Sequence, residues 1–172
     1  MIAKIVSRIF DPFVVLGVTF VVLLSNTPVF VPAFLTMVIL PLILFAVAWK
    51  IRFVSDWDVS DRRQRPKILW TLVAVEAIGT AVFQLAAIVP ILVALAGFSV
   101  ITHFWKISGH MLSVGLATGV IIERFGWQFW PVLLVVPLVA WARVVTHNHT
   151  TGQVIAGTIY AWALLLFFYE IR

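Results

Sequence analysis

Two long stretches with almost no charge limit what this chain can fold into. Residues 29–49 contain no charged side chain, and residues 68–105 contain only one, Glu76. A helix needs about 20 apolar residues to cross the hydrocarbon core of a bilayer, so the second stretch is long enough for two helices. We therefore predict an all-α integral membrane protein, a multi-pass helix bundle.

The composition of the whole chain is typical of this class. Of the 172 residues, 63% are hydrophobic and only 11% are charged, unlike a soluble domain. The formal net charge is +5, but the basic residues cluster at the ends of the apolar stretches, which favours membrane orientation over nucleic-acid binding. Because the chain has no cysteine, disulfide and thiol chemistry are excluded.

Charged residues, prolines and glycines divide the chain into seven predicted helices within one integral membrane domain, residues 1–172. They cover residues 9–25, 29–49, 67–86, 88–105, 108–122, 128–145 and 151–170. Only Pro90 marks the turn between the third and fourth helices, and without that turn the count is six. Lys4 and Arg8 precede the first helix as in a signal peptide, but no small-residue cleavage site follows, so we expect that helix to be retained.

With seven spans, three polar segments fall on one side of the membrane: residues 50–67, 106–110 and 142–153. Ten of the twelve Lys and Arg residues then lie on this side, and Arg124 and Arg172 lie on the other. The positive-inside tendency predicts that the polar face is cytoplasmic. Within the fifth span, the GxxxG spacing of Gly115 and Gly119 predicts close approach of another helix.

The segment "SGH" introduces polar groups between two apolar stretches. If Ser108 and Gly109 begin a helix, their backbone N–H groups and the positive end of the helix dipole favour an anion. His110 then lies in the first turn, beside that anion. The alternative is an N-cap serine followed by an interfacial histidine.

Three polar residues follow near the end of the chain. Arg143 can hold a phosphate with two parallel hydrogen bonds, and His149 can attack phosphorus or transfer a proton near neutral pH. Gln153 is one helical turn beyond His149 if the last helix begins there. Arg143 could equally be an interfacial arginine whose charged end reaches water beside a polar loop.

The first polar segment places three arginines beside three aspartates. They are Arg62, Arg63 and Arg65, with Asp56, Asp58 and Asp61. A solvated loop whose charges neutralise each other would have the same composition. The alternative is that one or more of these arginines serve a phosphate together with the other two polar segments.

The order of these motifs resembles the phosphatidic acid phosphatase type 2 superfamily, whose pattern is K-x6-RP, then PSGH, then SR-x5-H-x3-D. Matches are Arg65-Pro66, Ser108-Gly109-His110, and Arg143 with His149, within segments 58–66, 107–110 and 143–153. Four positions depart from the pattern. They are Asp58 for Lys, Ile107 for Pro, Ala142 for Ser and Gln153 for Asp.

The resemblance implies a membrane lipid phosphatase. His149 would attack phosphorus and form a phosphohistidine, His110 would protonate the leaving group, and Gln153 would orient His149 as a hydrogen-bond acceptor. Arg65, Arg143 and the backbone of Ser108 and Gly109 would bind the phosphate oxygens. Arg62, Arg63 or Lys67 would supply the cation that Asp58 does not, and we favour Arg62 because it lies on the same side of a helical turn as Asp58. The substrate would be a glycerolipid or polyprenyl phosphate or diphosphate, and neither a metal nor another cofactor is needed.

Two other functions are compatible with the sequence. The aspartates of residues 56–61 could hold Mg²⁺ in an intramembrane lipid transferase. Asp58 and Gln153, which replace expected charges, would also suit a protein that binds lipid phosphates without catalysis. Glu76, costly within a span, would either orient an arginine or form a hydrogen bond between helices. Nothing in the sequence predicts the oligomeric state.

Overall fold

The computed structural model describes residues 1–170, apart from the side chains of residues 87 and 169, and this part of the chain is helical with no strand. Arg172, counted above for orientation, lies outside the described residues. The helices are α1 (Ile2–Ile9), α2 (Pro12–Leu24), α3 (Phe30–Lys50), α4 (Arg65–Val82), α5 (Val89–Phe104), α6 (Gly109–Phe125), α7 (Trp127–Val145) and α8 (Thr151–Glu170). Each of the seven predicted helices overlaps one of α2 to α8, and α1 precedes them.

Prolines and glycine explain several helix boundaries. Pro66 and Pro90 occupy the first turns of α4 and α5, where the missing N–H costs no hydrogen bond. Inside α3, Pro41 cannot donate to the preceding turn, and a π-helical turn, Leu35–Ile39, ends two residues before it. Gly126, with φ of +94°, ends α6 in a conformation that favours glycine.

Three helices of the described chain are long and apolar enough to cross a membrane. They are α3, α7 and the segment Thr151–Phe168 of α8. A fourth span results if α1 and α2, bent by 45° at the break between them, are counted together. The turn near Pro90 exists, since α4 ends at Val82 and α5 begins at Val89.

The chain divides into two compact units. The first comprises Met1–Thr19 and the described residues from Ile107 onward, and the second is Phe20–Lys106. The first unit contains α1, α6, α7 and α8 around an apolar core. Its buried members are Met111, Val114, Val136, Val139 and Val154. In the second unit, α4 packs against α3 and α5.

Small residues bring α6 and α8 together in the first unit. A Cβ at Gly115 would lie 2.7 Å from the Cβ of Ala161, and one at Gly119 would collide with Leu165. A Cβ at Gly157 of α8 would lie 2.7 Å from the carbonyl oxygen of Ser108. The prediction that Gly115 and Gly119 allow close approach of another helix is therefore confirmed, and that helix is α8.

Candidate functional site

The end of α7 determines the R-x5-H spacing. His147 adopts a left-handed conformation with φ of +57°. The N–H of Asn148 donates to the carbonyl of Arg143 at 3.2 Å, and the N–H of His147 donates to Val144 at 3.0 Å. These two bonds form a Schellman motif, which ends a helix and reverses the chain. The N–H of His149 also donates to the carbonyl of Arg143, at 3.2 Å, so the loop folds back over the arginine.

Asn148 holds the guanidinium group of Arg143. With its side-chain oxygen facing the arginine, Asn148 accepts hydrogen bonds from Nη1 at 3.1 Å and Nη2 at 3.3 Å. Arg143 is 1% exposed, so its charge lies inside the first unit rather than at a snorkelling position. Asn148 lies outside the motif pattern and was not among the predicted site residues.

A capping box begins α8 directly after this loop. The side chain of Thr150 accepts from the N–H of Gln153 at 3.3 Å, and the side-chain oxygen of Gln153 accepts from the N–H of Thr150 at 3.1 Å. The sequence signature is T-x-x-Q, which could have been identified in "TTGQ". This reciprocal pair fixes the side chain of Gln153 at the first turn of α8.

His149 is oriented by the same glutamine oxygen. Its Nδ1 lies 3.1 Å from Oε1 of Gln153, as the one-turn spacing predicted, and the side chain is only 5% exposed. The backbone N–H of Thr150 can only donate, so the atom of Gln153 that faces it is the oxygen. That oxygen only accepts, and Nδ1 of His149 must therefore carry the proton. Nε2 is left with a lone pair, as a nucleophile requires.

The start of α6 lies against the start of α8. Ser108 is the N-cap residue, and its side chain accepts from the N–H of Met111 at 3.4 Å. Its own N–H donates to the carbonyl of Gln153 at 3.2 Å. Gly109 and His110 are the first two helical residues, whose N–H groups have no carbonyl partner within the helix. The N–H of Ser108 thus joins α6 to α8, and the N–H of Gly109 lies in the first turn of α6.

The side chain of His110, at the same helix start, is buried and contacts α1. Its Nε2 lies 3.2 Å from the carbonyl oxygen of Ser7 in α1. The side chain is 7% exposed, so it is not a water-facing interfacial histidine. The structure therefore brings Ser108, Gly109, His110, Arg143, His149 and Gln153 into one unit, at the ends of α6, α7 and α8.

The remaining predicted arginines belong to the second unit. Arg65 begins α4, is 7% exposed, and donates from Nε to the carbonyl of Val59 at 3.0 Å. Arg62 donates to the carbonyls of Phe104 and His103, the latter at 3.2 Å. The guanidinium of Arg62 thus caps the C-terminal end of α5, where a cation is favourable.

The aspartates of the same loop organise its backbone. Asp56 accepts from the N–H groups of Asp58 and Ser60 and from two serine hydroxyls, and Asp61 accepts from the N–H of Arg63. Partial burial alone would raise the pKa of Asp56, but these hydrogen bonds outweigh it and hold the pKa below its usual value. Among the described residues, no group of three His, Asp or Glu side chains has the arrangement of a metal site.

Glu76 is buried in α4, 6% exposed. The structure gives it no hydrogen bond or ion pair with any described residue, so neither role considered for it, orienting an arginine or bonding between helices, is seen.

No protein-family model matches this chain, and comparisons with curated proteins and with solved structures give no match either.

Proposed function

We propose that this protein is a membrane lipid phosphate phosphatase that acts through a phosphohistidine intermediate. The observation that carries the proposal is the pairing of His149 with Gln153, in which a capping-box glutamine holds the Nδ1 proton and leaves Nε2 as a nucleophile. The oxygen that accepts from Nδ1 is itself fixed by the N–H of Thr150, so the ring of His149 is held in one orientation. The motif order R-P, S-G-H and R-x5-H gives the same assignment.

The reaction has two steps. The lone pair of His149 Nε2 forms a bond to phosphorus as the bond to the leaving oxygen breaks, and His110 donates a proton to that oxygen. His110 then removes a proton from water, whose oxygen attacks phosphorus and breaks the P–N bond. Phosphate leaves, and both imidazoles return to their starting protonation states.

Charge that builds on the equatorial phosphate oxygens needs fixed donors. Arg143 and the first-turn N–H of Gly109 supply them in the first unit, and only the motif resemblance assigns Arg65 to the same role. Arg62 is a weaker candidate than Arg65, because its guanidinium already serves the end of α5. The reaction scheme uses arginines where other phosphatases use metal ions.

The apolar spans that carry the site indicate the class of substrate. The helix ends that carry it belong to a chain with apolar spans, so an amphiphile with a phosphate headgroup and acyl or isoprenyl tails suits it best. We infer six or seven spans, arranged as in the phosphatidic acid phosphatase type 2 superfamily, with the site facing the cytoplasm.

Purified protein assayed against phosphatidate, phosphatidylglycerophosphate and polyprenyl diphosphate, in EDTA, tests the proposal. We expect phosphate release that persists in EDTA, together with an acid-labile phosphoprotein that disappears in His149→Ala. His147→Asn is the matched control, because His147 is an exposed histidine of the same loop and asparagine tolerates its left-handed backbone. Turnover that survives His149→Ala would refute the phosphohistidine.

The alternatives give other outcomes in the same assay. A protein that only binds lipid phosphates remains a second candidate, because the Gln153 amide cannot neutralise an imidazolium; it would bind the lipids yet release no phosphate. A Mg²⁺-dependent transferase would lose all activity in EDTA. Its motivation was the three aspartates, and two of them, Asp56 and Asp61, are engaged in backbone hydrogen bonds.

A further inference from the structure

The N-terminal helix reaches the candidate site through its main chain. The carbonyl oxygen of Ser7 lies 3.2 Å from Nε2 of His110, although the two residues are 103 positions apart. Both residues are 7% exposed, so water does not compete freely for this hydrogen bond. No part of the motif pattern includes α1, which lies before the first predicted helix, residues 9–25.

The way α1 ends explains why this carbonyl is available. The N–H of Phe10 donates to Val6 at 3.0 Å, and the N–H of Asp11 donates to Arg8 at 3.3 Å. Neither of these two N–H groups donates to the carbonyl of Ser7, which lies between Val6 and Arg8 just before the break between α1 and α2. Carbonyls in the last turn of a helix need an outside donor when they are buried, and His110 supplies one.

This contact determines which nitrogen of His110 performs the chemistry. A carbonyl oxygen only accepts, so Nε2 carries a proton in both the neutral and the charged ring. Nδ1 is then the atom that gains and loses the transferable proton.

Packing holds α1 in this position. Ala3 and Ser7 form its buried face, and Val6 and Phe10 pack against the apolar core of the first unit. Ile2, Ile5 and Ile9 are exposed, and so are the basic residues Lys4 and Arg8. An exposed apolar stripe beside basic residues is typical of a helix that lies in a membrane interface.

We propose that α1 is a working part of the active site: the main chain of Ser7 positions His110 so that Nδ1 protonates the leaving oxygen of the substrate. This inference rests on the proposed phosphatase function, and it makes Ser7 a positioning residue. Loss of the contact should slow the step that needs an acid and spare the same step when the leaving group needs none.

The test compares two substrates and two variants. Ser7→Trp forces a large side chain into the buried face of α1, and Ile5→Trp puts the same side chain on its exposed face as the control. Phosphoenzyme formation is measured by rapid quench with phosphatidate, whose alkoxide leaving group needs a proton, and with p-nitrophenyl phosphate, whose leaving group does not. We expect Ser7→Trp to slow the phosphatidate reaction about 100-fold, the usual scale of general acid catalysis, and the p-nitrophenyl reaction only severalfold.

Equal losses on both substrates at an unchanged thermal midpoint would overturn the proposal, and so would an effect of Ile5→Trp as large as that of Ser7→Trp. If wild-type protein forms no phosphoenzyme from either substrate, the proposed function fails instead.

A measurement on the folded wild-type protein decides the contact independently of activity and of variant folding. In protein labelled with ¹⁵N-histidine, the resonances of His110 are those lost in His110→Gln. We expect a proton on Nε2 that exchanges slowly with water, and fast exchange of that proton in Ser7→Trp. A neutral ring protonated on Nδ1 would refute the hydrogen bond to Ser7, as would fast exchange of the Nε2 proton in wild type.

Discussion

Oε1 of Gln153 lies 3.1 Å from Nδ1 of His149, and the same oxygen lies 3.1 Å from the backbone nitrogen of Thr150. One acceptor therefore completes the capping box of α8 and fixes the tautomer of the candidate nucleophile. The motif pattern that the sequence resembles has aspartate at the corresponding position, but a capping box prefers glutamate or glutamine. The departure from the pattern thus has a structural reason at the start of α8.

Gln153→Glu should raise the rate of phosphoryl transfer to His149. Glutamate keeps the length and the capping role of glutamine, and it adds a negative charge that stabilises the imidazolium and orients the ring. Loss of such a charge in a serine protease triad costs up to about 10⁴ in rate, so a gain of tenfold or more is reasonable here. The measurement is single-turnover phosphoenzyme formation, with Gln153→Asp as the shorter carboxylate. A slower Gln153→Glu variant would show that charge on His149 is not limiting.

Asn148→Asp should weaken the binding of phosphate. The new carboxylate would take the place of the amide oxygen beside Nη1 and Nη2 of Arg143 and compete with the substrate for that guanidinium. We expect about a tenfold loss of affinity for inorganic phosphate or vanadate, which corresponds to about 1.4 kcal/mol. Thr151→Asp is the control, since it adds the same charge at an exposed position of α8. Equal losses in the two variants would indicate a general charge effect rather than competition for Arg143.

Hydropathy was sufficient to predict most of the helices. Long apolar stretches and prolines located α2 to α8 within a few residues, because a helix in lipid must be long and apolar. The end of α7 was harder to predict, because its Schellman motif uses His147 rather than glycine in the left-handed position. Asn148 escaped prediction together with this motif, which places it beside Arg143. Ser7 escaped prediction because its partner, His110, belongs to a distant helix, and spacing along the chain does not specify how two helix ends meet.

Among the motif residues, too, local contacts were predictable from the sequence and distant contacts were not. Gln153 was expected to accept from His149, and the structure agrees, because both residues belong to one local turn. Arg62 was assigned to phosphate from its position on one turn with Asp58, but it donates to the end of α5, about 40 residues further along the chain. Contacts over such separations follow from packing rather than from local pattern.

Asp56 should make the loop before α4 sensitive to acid. Its pKa is held below the usual value by hydrogen bonds from Ser55, Ser60 and Asp58, which outweigh the effect of partial burial. A carboxyl with a lowered folded pKa stabilises the fold above its ordinary pKa of about 3.9, and this contribution is lost as the pH falls through the folded value. Hydrogen exchange of the Ser60 amide, corrected for intrinsic rates, should show more protection in wild type than in Asp56→Asn near neutral pH. The difference should shrink below about pH 4; a difference that does not depend on pH would contradict the titration of Asp56.

Gly157→Ala should disturb the site through the backbone. The added Cβ would lie 2.7 Å from the carbonyl oxygen of Ser108 and 3.1 Å from Cβ of Met111, and neither atom is the flexible end of a side chain. Relief requires that α8 move away from the start of α6, which would strain the hydrogen bond from Ser108 to Gln153. Overpacking of this kind costs about 1–3 kcal/mol, and we expect a lower thermal midpoint together with weaker phosphate binding. Gly152→Ala, at an exposed position in the first turn of the same helix, should keep or raise the midpoint because alanine favours helix. A Gly157→Ala protein with unchanged stability and phosphate affinity would show that the contact between α6 and α8 does not hold the site together.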